Sequence, residues 1–205
     1  VRRLRFATKG LAIMPMKFTS DTEWMDALSE VAQYGAERMQ EVALPTHCNT
    51  DQSLSAWTLR AMQTISATGI RVRNQSVLIS GVNDSFASLH STMRKLSHLL
   101  IEPYYVYLHD LVPACEHLRT TVRQAEALSM CLQGSMAGFN TPRVVCDAPG
   151  GGGKRDISSY LAYDEEIGIS AWTSPTAKPG KVFYYYDPIH LLPENGQACL
   201  LYTSD

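Results

Sequence analysis

"RVRNQSVLISGVNDSFASLHSTMRKLSHLLIEPYYVYLHD", residues 71–110, decides how the chain is read. It opens on RVRNQSVLI, a short run with the composition of a strand. Through DSFASLHSTMRKLSHLL the apolar residues change to helical spacing, and Phe86, Leu89, Met93, Leu96 and Leu100 form one stripe to be buried. EPYYVYLHD then returns to strand composition. A strand, a helix and a strand with no two-residue hairpin signal between them make a βαβ unit, whose strands run parallel.

The same alternation extends in both directions. LAIM at 11–14 reads as a short buried strand, and TSDTEWMDALSEVAQYG as a helix with Trp24, Leu28, Val31 and Ala32 on one face, Thr19 or Ser20 as N-cap and Gly35 near its end. RMQEVAL at 38–44 is the next strand. DQSLSAWTLRAMQTISATG turns Leu54, Trp57, Ala61 and Ile65 inward, and Gly69 closes that helix where a left-handed residue is needed. Beyond residue 110, TTVRQAEALSMCLQGSMAG is a helix with Ala125, Leu128, Cys131 and Leu132 inward, and TPRVVCD is a fifth strand. Four strand–helix units and a further strand predict an α/β fold, a parallel sheet with helices packed outside it. Between about 155 and 195, YLAYDEEIGISAW and KVFYYYDP flank SPTAKPGK, which predicts a β-hairpin turning at Pro-Gly.

Composition narrows the class. The 205 residues are 45% hydrophobic with a net charge of −2, enough for one well-buried domain and a small appendage. No apolar run reaches the ~18 residues of a membrane span, and VRRLRF lacks the apolar core of a signal peptide, so no membrane association is expected. The near-neutral balance gives no electrostatic footprint for nucleic acid. Cysteines 48, 115, 131, 146 and 199 are odd in number and without short spacing. That pattern suits reduced thiols in a cytoplasmic compartment and offers no metal site.

In parallel α/β sheets chemistry gathers just beyond the carboxyl ends of strands. His47, Asp110 and Asp147 fall there, whereas Asn74 and Gln75 lie near the start of their strand. Each alone reads equally as a cap, a turn or a structural polar residue. Together with DAPGGGGK at 147–154 they become a candidate site. Three readings of that ribbon compete, and the first fails on the sequence itself. A P-loop would wrap phosphates with backbone N–H groups, but it needs Gly where Ala148 stands and Ser or Thr where Arg155 stands. A second reading is a lysine that forms a Schiff base with pyridoxal phosphate, carried on backbone that lacks Cβ atoms. The third is a flexible linker.

NQSVLISGVND at 74–84, PYYVYLHD at 103–110 and VVCDAPGGGGK at 144–154 resemble the corresponding segments of the lysine 2,3-aminomutases, radical S-adenosylmethionine enzymes that also use pyridoxal phosphate. The likeness runs from near the N-terminus to at least residue 175. It implies a partial TIM-like barrel over residues 1–154, followed by a C-terminal extension over 155–205. It implies that Lys154 carries the pyridoxal phosphate on the loop of Gly150, Gly151, Gly152 and Gly153, and that Asp110 and Asp147 hold the ε-ammonium of a lysine substrate. Tyr107 matches a tyrosine beside the cofactors, and His47, Asn74 and Gln75 match polar residues lining the same cavity. The implied reaction interconverts L-lysine and β-lysine by 5′-deoxyadenosyl radical chemistry in a homo-oligomer. Other amino acids, a protein-bound lysine, or a non-enzymatic binding module are the alternatives. The Cys-x3-Cys-x2-Cys motif that holds the family's [4Fe–4S] cluster is absent from these residues, and Ser85 stands where a metal-binding cysteine is common. The expectation is therefore a C-terminal part of a longer enzyme, inactive alone, whose final CLLYTSD resembles translated adapter sequence.

Overall fold

The computed structural model describes residues 1–202, the side chains of 200–202 excepted, so the last three residues of CLLYTSD lie outside the described residues. In chain order the elements are β1 (Arg3–Arg5), α1 (Gly10–Ile13), α2 (Lys17–Ser20), α3 (Thr22–Glu37), β2 (Glu41–Thr46), α4 (Ala56–Ala67), β3 (Arg71–Val77), α5 (Phe86–His98) and β4 (Ile101–Tyr107). They continue with α6 (Val122–Leu132), β5 (Arg143–Ala148), β6 (Gly153–Asp156), β7 (Ala162–Asp164), β8 (Ile169–Ser174), β9 (Lys178–Tyr186) and α7 (Glu194–Tyr202). One sheet has the order β1-β2-β3-β4-β5-β6 and a second the order β7-β8-β9. β1 pairs parallel with β2 and β2 with β3, while β6 returns antiparallel to β5. A strand order that follows the chain without reversing belongs to the barrel-type α/β folds; a doubly wound sheet reverses direction at a switch point. The α/β fold with a partial TIM-like strand succession is as the sequence predicts.

The chain divides into two compact units, one of residues 1–76, 87–105 and 136–142 and one of residues 77–86, 106–135 and 143–205. In the first, Leu44, Ala61, Ile65, Leu89 and Leu96 are fully buried between strands and helices. The helix starts follow capping chemistry: the Asp21 carboxylate accepts the Trp24 N–H at 3.0 Å, and Ser55 and Thr58 form a reciprocal capping box. Gly69 closes α4 at φ +76°. Across the strand starts runs a ladder of charge. Arg3 pairs with Glu41 at 2.8 Å, Glu41 with Arg73 at 2.8 Å, and Arg73 with Glu102 at 2.9 Å.

In the second unit Leu78, Val106, Leu108, Val122, Val145 and Trp172 are buried. Its three-stranded sheet is wired through Asp187. That carboxylate, 2% exposed, accepts the Val122 N–H at the start of α6 and the Tyr163 hydroxyl, while Arg119 donates to the Tyr186 carbonyl. Burial pushes the Asp187 pKa up, against the hydrogen bonds and the Arg119 charge that favour its anion.

Several local expectations are overturned. LAIM is helical: Gly10–Ile13 form α1, with Leu11 buried and Ile13 exposed. A four-residue apolar run cannot distinguish strand from helix. The first strand is instead RLR at 3–5, exposed throughout, held by parallel pairing with β2 and by the ion pair of Arg3 with Glu41. The N-cap of α3 is Asp21, and Met25, Leu28, Ala32 and Gly35 are its buried residues. Trp57, Phe86, Leu100 and Cys131 are exposed: Phe86 and Leu100 lie at and beyond the ends of α5, and Trp57 and Cys131 lie outside the buried stripes of α4 and α6. The predicted C-terminal hairpin is present as β8 and β9, which pair antiparallel, and β7 adds a third strand through a turn at 165–168, where the Asp164 carboxylate accepts two backbone N–H groups and Gly168 takes φ +64°. Pro179 and Gly180 lie within β9 and not at a turn.

The ladder makes a measurable claim. The hydrogen bond from Arg73 chiefly, with the charges of Arg73, Arg3 and Arg71, holds the Glu41 pKa below its ordinary 4.5. A depressed carboxylate contributes stability above its unfolded value and loses it as pH falls through the folded one. Arg73→Met, measured by urea unfolding near neutral pH, is expected to cost about 1 to 2 kcal/mol. The difference from the parent should shrink below about pH 4; a gap that does not narrow in acid would mean Arg73 acts by packing alone.

Candidate active site

The carboxyl end of β5 leads directly into the glycine ribbon, and the ribbon is a hairpin turn. β6 returns along β5 with Asp147 opposite Lys154 and Ala148 opposite Gly153. Gly152 donates its N–H to the Ala148 carbonyl at 3.0 Å. Gly150, Gly151 and Gly153 take φ of +77°, +86° and +74°, a region that side chains disfavour. Gly152 has an ordinary φ but no room: a Cβ there would lie 2.7 Å from the Ala148 Cβ and 2.8 Å from the Phe183 ring. Both the linker and the P-loop readings fail on this geometry. The ribbon is a defined turn, and Lys154 lies within a strand where a P-loop requires a helix N-terminus.

This register brings three of the expected residues together. The Lys154 ammonium stands 3.7 Å from the Asp147 carboxylate and 5.5 Å from the centroid of the Tyr107 ring. Both ion-pair side chains are more than two-fifths exposed, so the pair is solvent-screened and weak. Asp110 follows β4 and is exposed; its carbonyl accepts the Val112 N–H, and the preceding His109 carbonyl accepts the Tyr185 hydroxyl from β9 at 2.8 Å. Cys146, fully buried, reports on both carboxylates. Its thiol is pushed up to about 12, first by burial and then by the negative charges of Asp147, Asp110 and Asp187.

The other three expected residues belong to the first unit. His47 directly follows β2, half-buried, and burial with the Lys9 charge lowers its pKa, so the imidazole is neutral at neutral pH. Asn74 is 1% exposed and spends its amide internally: Oδ1 accepts the Cys48 N–H at 2.8 Å, and Nδ2 donates to the Cys48 carbonyl and the Ser76 hydroxyl. It thereby fixes the turn beside His47. Gln75, on the opposite face of β3, lines a cavity of about 260 Å³ with Arg3, Arg5, Pro45, Arg73 and Tyr104.

Reading the sequence missed the side chains that surround these groups. The alternate arginines of RLR and RVR, at period two, were a legible sign of strands with one charged face. Cys146 sits beside Asp147 on β5, and nothing local marked Phe183 or Lys178, which reach the ribbon from β9.

No protein-family model matches the chain. Among curated relatives it is 31% identical over 157 residues to the L-lysine 2,3-aminomutase of Clostridium subterminale, covering 77% of this chain and 35% of that protein. It is 33% identical over 157 residues to that of Fusobacterium nucleatum, covering 77% and 35%, and 32% identical over 154 residues to that of Methanococcus maripaludis, covering 75% and 33%. Among solved structures, a radical SAM methyltransferase from Sphaerobacter thermophilus superposes with a TM-score of 0.42 at 24% identity, covering 62% of this chain and 38% of that one, a likeness that carries no argument. The chain spans about a third of the length of the curated relatives it matches. On that sequence similarity, the chain belongs to the lysine 2,3-aminomutase family.

Proposed function

We propose that these residues are the part of an L-lysine 2,3-aminomutase that carries the pyridoxal phosphate lysine and receives the substrate's distal ammonium, in an enzyme that interconverts L-lysine and L-β-lysine. The observation that carries the reading is the ion pair of Lys154 with Asp147. The lysine side chain is itself a primary ammonium on a four-carbon stem, the same group that a lysine substrate presents at its far end. Asp147 therefore already holds the chemistry it would have to recognise.

The residues present fit pyridoxal phosphate. Lys154 projects a half-exposed amine from backbone without Cβ atoms, next to an aromatic ring. Lys154 would hold the cofactor covalently and the ribbon would admit its approach. When bound, that group supplies a carbonyl carbon to which an amino group attaches and from which it can migrate. S-adenosylmethionine and a [4Fe–4S] cluster belong to the same reading, and the five cysteines lack the cluster spacing, so the reading assigns the cluster ligands outside these residues.

The work left to this chain is positioning. Lys154, if it held the cofactor, would turn its amine away from Asp147 and leave that carboxylate open to another cation. Asp110 and Asp147, both acting on Cys146, supply two negative charges for one ammonium. Within the first unit, the neutral His47 and the internally bonded Asn74 offer dipoles and not charge. Pinning the substrate's far end limits the freedom of its reacting end, which is worth more to rate than affinity alone.

Three outcomes follow. Pyridoxal phosphate trapped with borohydride should label Lys154, as located by mass spectrometry, and the label should vanish in Lys154→Ala. Label on another lysine in the parent would refute the assignment. Asp147→Asn in the active enzyme should lower kcat/KM for lysine by roughly thirtyfold, about 2 kcal/mol, while leaving the Lys154 label intact. A change under about threefold would remove Asp147 from substrate binding. The 205-residue chain alone, reconstituted with iron, sulfide, S-adenosylmethionine and pyridoxal phosphate, should form no β-lysine by chromatographic assay, and any turnover would overturn the placement of the cluster.

A further inference from the structure

The glycine ribbon is gripped from the C-terminal sheet. Lys178 Nζ donates to the Gly150 carbonyl at 3.0 Å, and a Cβ at Gly151 would lie 2.5 Å from that same nitrogen. Phe183, 8% exposed, lies against the ribbon at two further points, 3.7 Å from a Cβ built at Gly150 and 2.8 Å from one at Gly152. The Lys178 ammonium is also 5.6 Å from the Phe183 ring centroid, so the two side chains act as one assembly.

Their cooperation depends on a register irregularity. Residues 178 and 183 are an odd number apart, and on a regular strand they would point to opposite faces. In β9, however, Thr173 pairs with Val182 whereas Ser174 pairs with Lys178, so Lys178 occupies the position a regular strand would give to Lys181. Pro179, Gly180 and Lys181 are bulged out, with Gly180 at φ +74°. The bulge resets the parity and brings Lys178 onto the face of Phe183. Phe183 is held in turn by pairing opposite Trp172, which is fully buried.

We propose that Lys178 and Phe183 are positioning residues that latch the glycine ribbon and so set the reach of the Lys154 amine. Phe183 is the fixed half, a buried ring that fills the space glycine leaves open. Lys178 is the releasable half, a single charge-assisted hydrogen bond at the solvent edge. The ribbon can lift when Lys154 changes partners and return to one resting position. The functional importance of the latch rests on the reading that Lys154 carries the cofactor; its mechanical part does not.

The test is amide hydrogen exchange in the full chain, read at residues 150–154 and, as a control, across β8. Lys178→Met should speed exchange at the ribbon by roughly fivefold with β8 unchanged, and Lys178→Arg should restore the parent rate to within about twofold. Phe183→Leu, which keeps the site apolar, should also speed exchange at Gly152. Ribbon exchange within about twofold of the parent in Lys178→Met, or acceleration that spreads equally through β8, overturns the latch. A second readout separates the two layers of the argument. Borohydride-trapped labelling of Lys154 by pyridoxal phosphate should slow by roughly threefold in Lys178→Met and recover in Lys178→Arg. Should exchange respond as stated while Lys154 takes no label in the parent, the cofactor reading falls and the mechanical latch stands. Should Lys154 take the label at the parent rate in Lys178→Met, the latch has no functional consequence and the proposal fails.

Discussion

The pairing of Asp147 with Lys154 across the β5–β6 hairpin is the constraint on which the site depends. Side chains alternate along a strand with period two, so a slip of one residue would carry the lysine to the other face of the hairpin. The turn prevents that slip. Gly150, Gly151 and Gly153 occupy backbone conformations that other residues enter only with strain, and Gly152 occupies a gap closed by Ala148 and Phe183. The four glycines are thus not interchangeable flexibility. Three satisfy dihedral geometry, one satisfies space, and their sum is a fixed register that delivers one amine to one carboxylate.

The C-terminal sheet supports this arrangement through groups whose energies differ in kind. Asp187 is a buried carboxylate and a large expense in solvation, offset by the Val122 N–H, the Tyr163 hydroxyl and the nearby Arg119 charge. Such a group ties β9 to the start of α6 firmly, because losing any one partner leaves a buried carboxylate only partly compensated. Tyr185, 1% exposed, extends the same strand to the His109 carbonyl beside Asp110. Lys178, at the other end of β9, holds the ribbon by a single bond at the solvent edge. The strand is anchored at one end and releasable at the other.

The charged floor of the first unit follows a different logic. Arg3, Glu41, Arg73 and Glu102 alternate in sign across neighbouring strands, and each inner member has two opposite partners. A shared network loses less to side-chain ordering than isolated surface pairs, since one ordered side chain serves two bonds. The ladder explains how an arginine-rich segment, β1, is held in a sheet without apolar side chains to bury.

The sequence by itself determined the succession of strands and helices from β2 to β5, the closure of α4 at Gly69 and the buried centres of α4, α5 and α6 at Ala61, Leu89 and Leu128, because hydrophobic period and capping chemistry are properties of a dozen neighbouring residues. It also singled out the glycine ribbon and its lysine as a candidate, through composition together with the family resemblance. Tertiary structure decided the rest. Whether LAIM or RLR supplied the first strand depended on parallel pairing with β2, more than thirty residues away, where Glu41 also meets Arg3. That the ribbon is a hairpin, that Asp147 faces Lys154, and that Lys178 reaches Gly150 across 28 residues all depend on strand register. Register is set by pairing between distant segments and by a bulge whose parity no local window contains.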